Sequence, residues 1–198
     1  FINKQAKNTE QPFFLYLPLT SPHTPIVPGE KFKGMHSQYS WYADFIAETD
    51  WVVGQVLEQL KASGIDDNTL VIFIADNGFA PYVEIPKMMK AGYRPSKDFR
   101  GNKGDLYEGG HRVPFLVRWP GKVRANSKSE TTISTTDFYA TFADLLGKLP
   151  TIKDDAAEDS FSFYPRLINS ADQKNQASQT LNKADHKKNA TRPFTIHH

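Results

Sequence analysis

The stretch from Leu70 to Gly78 constrains this chain more than any other. Leu70, Val71, Ile72, Phe73, Ile74 and Ala75 form an unbroken apolar run that stops at Asp76, Asn77 and Gly78. A short apolar run without polar alternation predicts a strand buried on both faces, as in a parallel sheet covered by helices. Ligands of open α/β sheets bind just beyond the carboxyl ends of the strands. Two adjacent oxygen-bearing side chains there, followed by a glycine that lets the backbone turn, make half of a site for a hard cation. Asn-Gly is also ordinary turn chemistry, so the same residues read as a strand-ending turn as well.

Upstream, Phe13 to Leu17 is a second apolar run. It predicts another buried strand, with Pro12 at the entrance, where a missing N–H does least harm. The run ends at Thr20-Ser-Pro-His-Thr-Pro25, where Pro22 and Pro25 bracket and stiffen His23. A histidine held beyond a strand end can donate a proton or contact an anion, and a loop histidine with no task is the plainer alternative. From Trp41 to Leu60 apolar residues recur at spacings of three and four, which predicts an amphipathic helix. Ser37 or Ser40 suits its start and Gly64 its end. Asp44, Glu48 and Glu58 are expected on its solvated face. Asp50, beside the apolar stripe, is a candidate for burial and pairing. Strand, helix, strand predicts a right-handed βαβ crossover.

Residues 79–100 read as a long irregular loop punctuated by Pro81, Pro86, Gly92 and Pro95, with Met88 and Met89 as packing residues. Phe99 to Pro114 follows, with four glycines that permit close backbone approach. Within it, Lys103 could reach an anion as a compact point charge and Arg100 through its planar fork, or the segment is simply a solvated basic loop. Val113 to Pro120 predicts a third strand, turned by Pro120 and Gly121. Ser134 to Asp137 should cap a helix over Phe138–Leu146, ended by Gly147. Asp159 to Leu167 reads as a compact apolar return. Residues 169–191 are rich in Asn, Gln, Ala, Lys and Asp and read as a polar linker or surface insertion. Asn189, Ala190 and Thr191 within it match a glycosylation acceptor pattern.

The bulk numbers exclude several classes. A net charge of +2 is too near balance to indicate nucleic acid or a membrane surface. No apolar run approaches the ~20 residues that span a bilayer. With no cysteine, the chain holds no disulfide, thiolate metal site or Cys nucleophile of its own, and the redox compartment stays open. Phe1 to Gln5 reads as the last turn of a helix already under way, and Arg192 to His198 as a strand entered and not completed. The expectation is therefore an internal piece of a longer protein. No signal of oligomeric state is present.

Taken in order, Ser21-Pro-His-Thr-Pro25, Ala75-Asp-Asn-Gly78, Arg100-Gly-Asn-Lys-Gly-Asp-Leu-Tyr-Glu-Gly-Gly-His-Arg-Val-Pro114 and Trp119-Pro-Gly121 resemble the formylglycine-dependent sulfatases of the alkaline phosphatase superfamily. The resemblance covers about residues 10–168, and its specific part is the Lys103 to Pro114 block. It implies an α/β fold, with a large mixed sheet sandwiched by helices and a smaller C-terminal antiparallel sheet. Residues 1–168 would then be the C-terminal portion of the catalytic domain, 169–191 the linker, and 192–198 the start of the small sheet.

The resemblance also implies hydrolysis of sulfate monoesters, in which a hydrated formylglycine attacks sulfur and a calcium ion polarises the sulfate oxygens. Asp76 and Asn77 match half of the calcium site. Lys103 matches the lysine that contacts sulfate and the leaving-group oxygen. His23 matches the histidine that contacts sulfate and can protonate the leaving alcohol. Arg112 is expected to be structural, paired with Glu108, and His111 is assigned nothing. The nucleophile motif and the paired aspartates that complete the calcium site are absent, and Asp66-Asp67 sits in the wrong turn to replace them. The isolated chain is therefore expected to be inactive.

The implied partner is a sulfated small molecule or glycan, either a carbohydrate or an aryl alcohol, in an exported (periplasmic, extracellular or lysosomal) setting. Two alternatives stay open: a phosphodiesterase or phosphonate hydrolase of the same superfamily, and a catalytically dead binder of sulfated glycans.

Overall fold

The computed structural model describes residues 1–8, 10–151, 153 and 156–168. The expected linker at 169–191, its glycosylation pattern and the expected strand at 192–198 lie outside these residues. The chain divides into two compact units, Phe1–Val117 and Arg118–His198.

In the first unit, helix α1 (Ile2–Gln5) is a single turn, and helix α2 (Trp41–Ala62) is the longest element described. Ser40 caps α2, its side chain accepting from the Ala43 amide at 3.3 Å. The far end closes as a Schellman turn: Gly64, at φ +69°, donates to Lys61 O at 3.0 Å, and Ile65 donates to Leu60 O at 3.2 Å. A positive φ there is what makes glycine the fitting residue. Asp66–Asn68 forms a 3-10 turn into strand β1 (Val71–Ile74). Helix α3 (Ile85–Lys90) and the one-turn helix α4 (Glu108–His111) precede strand β2 (Phe115–Arg118), which pairs with β1 in a two-stranded sheet.

Several expectations are corrected here. β1 forms where expected, but all four of its residues are half-buried, not enclosed on both faces. Phe13–Leu17 forms no strand, and Phe14 and Tyr16 are 71% and 76% exposed. An extended segment becomes a strand only by hydrogen bonding to a neighbour, and no described strand lies along it. The βαβ crossover therefore lacks its first strand among the described residues. The loop at 79–100 is not wholly irregular. Pro86 sits in the first turn of α3, where proline's missing N–H is harmless, and Met88 is fully buried while Met89 is exposed.

Asp44 is not a surface charge either, and Glu48 is half-buried. Asp44 is 1% exposed and accepts from the amides of Gly34 and His36 at 2.8 and 2.6 Å. Glu48 accepts from the Gly29 amide at 2.8 Å. The helical period placed both on the polar side of α2, yet the 29–36 loop folds back over that side, and its amides need acceptors. Asp50, the candidate for burial, is exposed.

In the second unit, Ser134 and Asp137 form the expected capping box, with the Ser134 amide donating to Asp137 Oδ2 at 2.8 Å. Helix α5 (Phe138–Leu145) follows, and Gly147, at φ +67°, lies just past its end. The Ser160–Phe163 return packs on α5 through polar contacts as well as apolar ones. Ser160 Oγ accepts from the Ala140 amide at 2.8 Å and donates to Thr136 O at 2.7 Å, and the Phe161 amide donates to Asp137 Oδ1 at 2.9 Å. Phe138 stacks on Phe142 and meets Phe163 edge-on, with ring centroids 5.5 and 5.7 Å apart. Helix α6 (Tyr164–Ile168) closes the described chain.

Candidate functional site

The strand β1 run ends at Ile74, and the chain turns through Asp76, Asn77 and Gly78. Asp76 Oδ1 accepts from the Asn77 amide at 2.9 Å, and Asn77 Nδ2 donates to Gly78 O at 2.9 Å. With its amide nitrogen committed to Gly78 O, Asn77 has a carbonyl oxygen that can accept and takes no hydrogen bond among the described residues, next to an exposed carboxylate.

The glycine-rich segment closes directly on this turn. The Gly78 amide donates to Gly110 O at 2.8 Å, and the Lys103 amide donates to Phe79 O at 2.8 Å. The approach is possible only without side chains. A Cβ on Gly78 would lie 1.9 Å from Gly109 O, one on Gly109 2.1 Å from Gly101 O, and one on Gly110 2.1 Å from Asp105 O. Three glycines thus serve one purpose, letting the 100–111 loop pack backbone-to-backbone against the end of β1 and against itself. The loop is braced further by the Gly109 amide on Arg100 O at 2.7 Å and the Asn102 amide on Asp105 Oδ2 at 2.9 Å.

Within this frame Lys103 is half-buried, and its ammonium has no ion pair or hydrogen bond among the described residues. The other cations of the segment are engaged. Arg100 stacks on the Tyr107 ring at 3.8 Å. Arg112 donates to Glu108 Oε2 at 2.6 Å and lies over Phe99, which is the structural pairing expected of it. The hydrogen bond from Arg112 holds the Glu108 carboxyl below the usual carboxylate range.

His23 lies on a separate exposed loop. Its Nδ1 is 2.9 Å from Thr24 O. A carbonyl can only accept, so Nδ1 carries the proton in this bond and Nε2 is left for an external partner. The Thr24 hydroxyl lies 3.4 Å from the same Nδ1 and shares a 3.3 Å hydrogen bond with the Tyr82 hydroxyl. Tyr82 follows the Asp76–Gly78 turn, so the His23 loop is tied to the chain leaving the strand end. Among the described residues no hydrogen bond or ion pair joins His23 directly to Asp76, Asn77 or Lys103. The fold therefore brings Lys103 against the Asp76–Asn77 turn and links His23 to it through Thr24 and Tyr82. Thr24 and Tyr82 escaped sequence reasoning because no spacing rule selects a tyrosine inside an irregular loop.

A cavity of about 520 Å³ in the second unit, lined by Tyr139, Phe142, Leu146 and Lys148 among others, contains none of these residues.

The Sulfatase family model matches residues 1–148, and the chain belongs to the sulfatase family. Its fold is accordingly the α/β fold of the alkaline phosphatase superfamily. An N-acetylgalactosamine-6-O-sulfatase of Bacteroides thetaiotaomicron is 39% identical over 82% of this chain and 32% of its own length. The steryl-sulfatase of Rattus norvegicus is 36% identical over 82% of this chain and 27% of its own. Among solved structures, one from work on glycosaminoglycan metabolism by Bacteroides thetaiotaomicron superposes with a TM-score of 0.73 at 34% identity, over 84% of this chain and 35% of that one. Another, Ps i-CgsB in complex with k-i-k-neocarrahexaose, has a TM-score of 0.69 at 30% identity, over 85% and 38%. The chain thus spans about a third of the length of the relatives it matches. The N-acetylgalactosamine-6-O-sulfatase and the steryl-sulfatase are by name sulfuric ester hydrolases, in a family that is generally metal-dependent. No described helix is long and apolar enough to cross a membrane.

Proposed function

We propose that the whole protein carrying this chain hydrolyses sulfate monoesters, and that residues 1–168 are the C-terminal portion of its catalytic domain. The observation that most supports this is the 2.8 Å bond from the Lys103 amide to Phe79 O, which holds a lysine whose ammonium is unengaged among the described residues beside the Asp76–Asn77 turn. Lys103 would bind the sulfate group and offset the negative charge that grows on the leaving oxygen as the S–O bond breaks. Such a fixed cation is worth most where charge develops. His23, with Nδ1 donating to Thr24 O, would present Nε2 to the same ester and, when protonated there, hand its proton to the departing alkoxide.

Asp76 and Asn77 fit a hard divalent cation. One offers a carboxylate and the other a carbonyl oxygen, and calcium takes six to eight oxygen ligands. Among the described residues no group of three or more His, Cys, Asp or Glu side chains could hold a metal, so these two would be part of a ligand set and not all of it. A calcium ion bound there would supply Lewis-acid polarisation of the sulfate oxygens. A formylglycine nucleophile and the remaining ligands would come from outside this chain, so the isolated 198-residue chain is expected to release no sulfate. The proposed substrate is the sulfate ester of a carbohydrate or aryl alcohol, and export (periplasmic, extracellular or lysosomal) is the proposed setting.

The test is sulfate release by the whole protein from N-acetylgalactosamine 6-sulfate and from 4-nitrocatechol sulfate, alongside the matched phosphate monoesters. Preferential sulfate turnover, lost with a chelator and restored by calcium, is the expected outcome. Faster turnover of the phosphate esters, or none of either, would overturn it.

A further inference from the structure

The Thr24 hydroxyl touches both His23 Nδ1 and the Tyr82 hydroxyl, at 3.4 and 3.3 Å. Tyr82 is therefore one hydrogen-bonded link from the imidazole, and it is 53% exposed. It does not stand alone. Tyr93 is 36% exposed, and its ring lies 5.3 Å from that of Tyr39, which in turn stacks on His36. Tyr93 is brought there by a second Schellman turn: Gly92, at φ +84°, donates to Met89 O, and Tyr93 donates to Met88 O at 2.9 Å, over the fully buried Met88. Tyr42 lies beneath. Burial, followed by the nearness of Tyr93 and Tyr82, pushes its hydroxyl up to about 12.

We infer that Tyr82 forms the face on which the pyranose ring of a sulfated sugar stacks while its sulfate is held at Lys103 and His23. This rests on the sulfatase reading above and assigns its substrate class. The chemistry favours a sugar over an aryl or steroid ring. A tyrosine offers an apolar face for the C–H side of a pyranose and a hydroxyl for its oxygens. A purely apolar leaving group calls instead for enclosing apolar walls. The surroundings of Tyr82 and Tyr93 are open and polar: Glu84 pairs with Lys87 at 3.8 Å and Arg94 with Asp98 at 2.9 Å, all four exposed. Because those cations are matched by carboxylates, they do not compete with Lys103 for the sulfate.

The experiment compares the whole protein with its Tyr82→Ala and Tyr82→Phe variants on N-acetylgalactosamine 6-sulfate and 4-nitrocatechol sulfate. The ratio of kcat/KM for sugar over aryl substrate is expected to fall at least tenfold in Tyr82→Ala, through KM, and less than threefold in Tyr82→Phe, which keeps the ring. Tyr82→Leu, with bulk but no aromatic face, should behave as the alanine variant and replaces it if that one does not fold. An unchanged ratio in Tyr82→Ala or Tyr82→Leu overturns the inference. So does a wild-type protein that turns over only the aryl ester, although the sulfatase reading then survives. If the wild type releases sulfate from neither, that reading fails, and calorimetric binding of the 6-sulfated sugar decides the inference. At least tenfold weaker binding by Tyr82→Ala supports it. Equal binding, or none by the wild type, overturns it.

Discussion

The amide of Lys103 donates to the carbonyl of Phe79 across 2.8 Å, joining the glycine-rich loop to the residue that follows the Asp76–Gly78 turn. The bond is made by the backbone, so it places the lysine without consuming its ammonium. Position and charge are separable at this residue. Lys103→Ala is expected to leave stability within about 0.5 kcal/mol of the parent, as for surface changes that break no internal contact. In the whole protein it should lower kcat for sulfate release by about 10²–10³-fold, the usual cost of removing one preorganised group at a developing charge. Urea unfolding and turnover on 4-nitrocatechol sulfate measure the two halves. Equal losses in both would mean that Lys103 is structural.

The glycine contacts predict opposite signs for one substitution at two places. Gly78→Ala puts a methyl 1.9 Å from Gly109 O, where only backbone could yield. It is expected to destabilise by about 1–3 kcal/mol or more. Gly54 lies inside α2 with nothing within 4 Å of its would-be Cβ. Gly54→Ala should stabilise by about 0.5–1 kcal/mol through helix propensity alone. Denaturant midpoints read both.

Asp44 holds the 34–36 turn on the first turn of α2 with two charge-assisted hydrogen bonds. Asp44→Ala leaves two amides without their acceptor and removes a buried anion from a helix N-terminus. A loss of about 2–4 kcal/mol is expected, since each bond to a charged group is worth about 1.5–3 kcal/mol and water partly replaces them. A change under about 0.5 kcal/mol in urea unfolding would show that the turn relaxes freely.

Tyr42 gives a pH dependence. Its folded-state pKa, pushed up to about 12, lies above the ordinary value of 10.0, so the folded state keeps this proton after the unfolded chain has lost it. The sign follows: the contribution to stability is whole below pH 10 and is lost as pH rises through about 12. Tyr42→Phe, which cannot ionise, should flatten the fall in melting temperature across that window. An identical alkaline profile in parent and variant would rule Tyr42 out as its source.

How much was legible in advance differed by element. Helix α2 and its Gly64 stop followed from residues three and four apart and from one left-handed position, all settled within a few residues of chain, while its cap was narrowed to Ser37 or Ser40 and the structure selects Ser40. β1, β2 and the Ser134–Asp137 cap were legible for the same reason. The order of motifs likewise carried the sulfatase family, and with it His23, Lys103, Asp76 and Asn77 as candidates. Helix α3 was hidden because it is only six residues long and carries a proline in its first turn, which marks turns as readily as helix starts.

Sequence by itself therefore determined the local conformations and the family, because caps, periods and turns act between near neighbours. Tertiary structure alone decided which polar side chains are buried, which runs become strands and which loops meet. Asp44 is buried because a distant loop needs acceptors. Phe13–Leu17 stays out of the sheet because an extended segment needs a partner. Gly78, Gly109 and Gly110 matter because two backbones pass closer than any side chain allows. Each of these depends on what another part of the chain brings alongside, and no pattern of neighbouring residues encodes that.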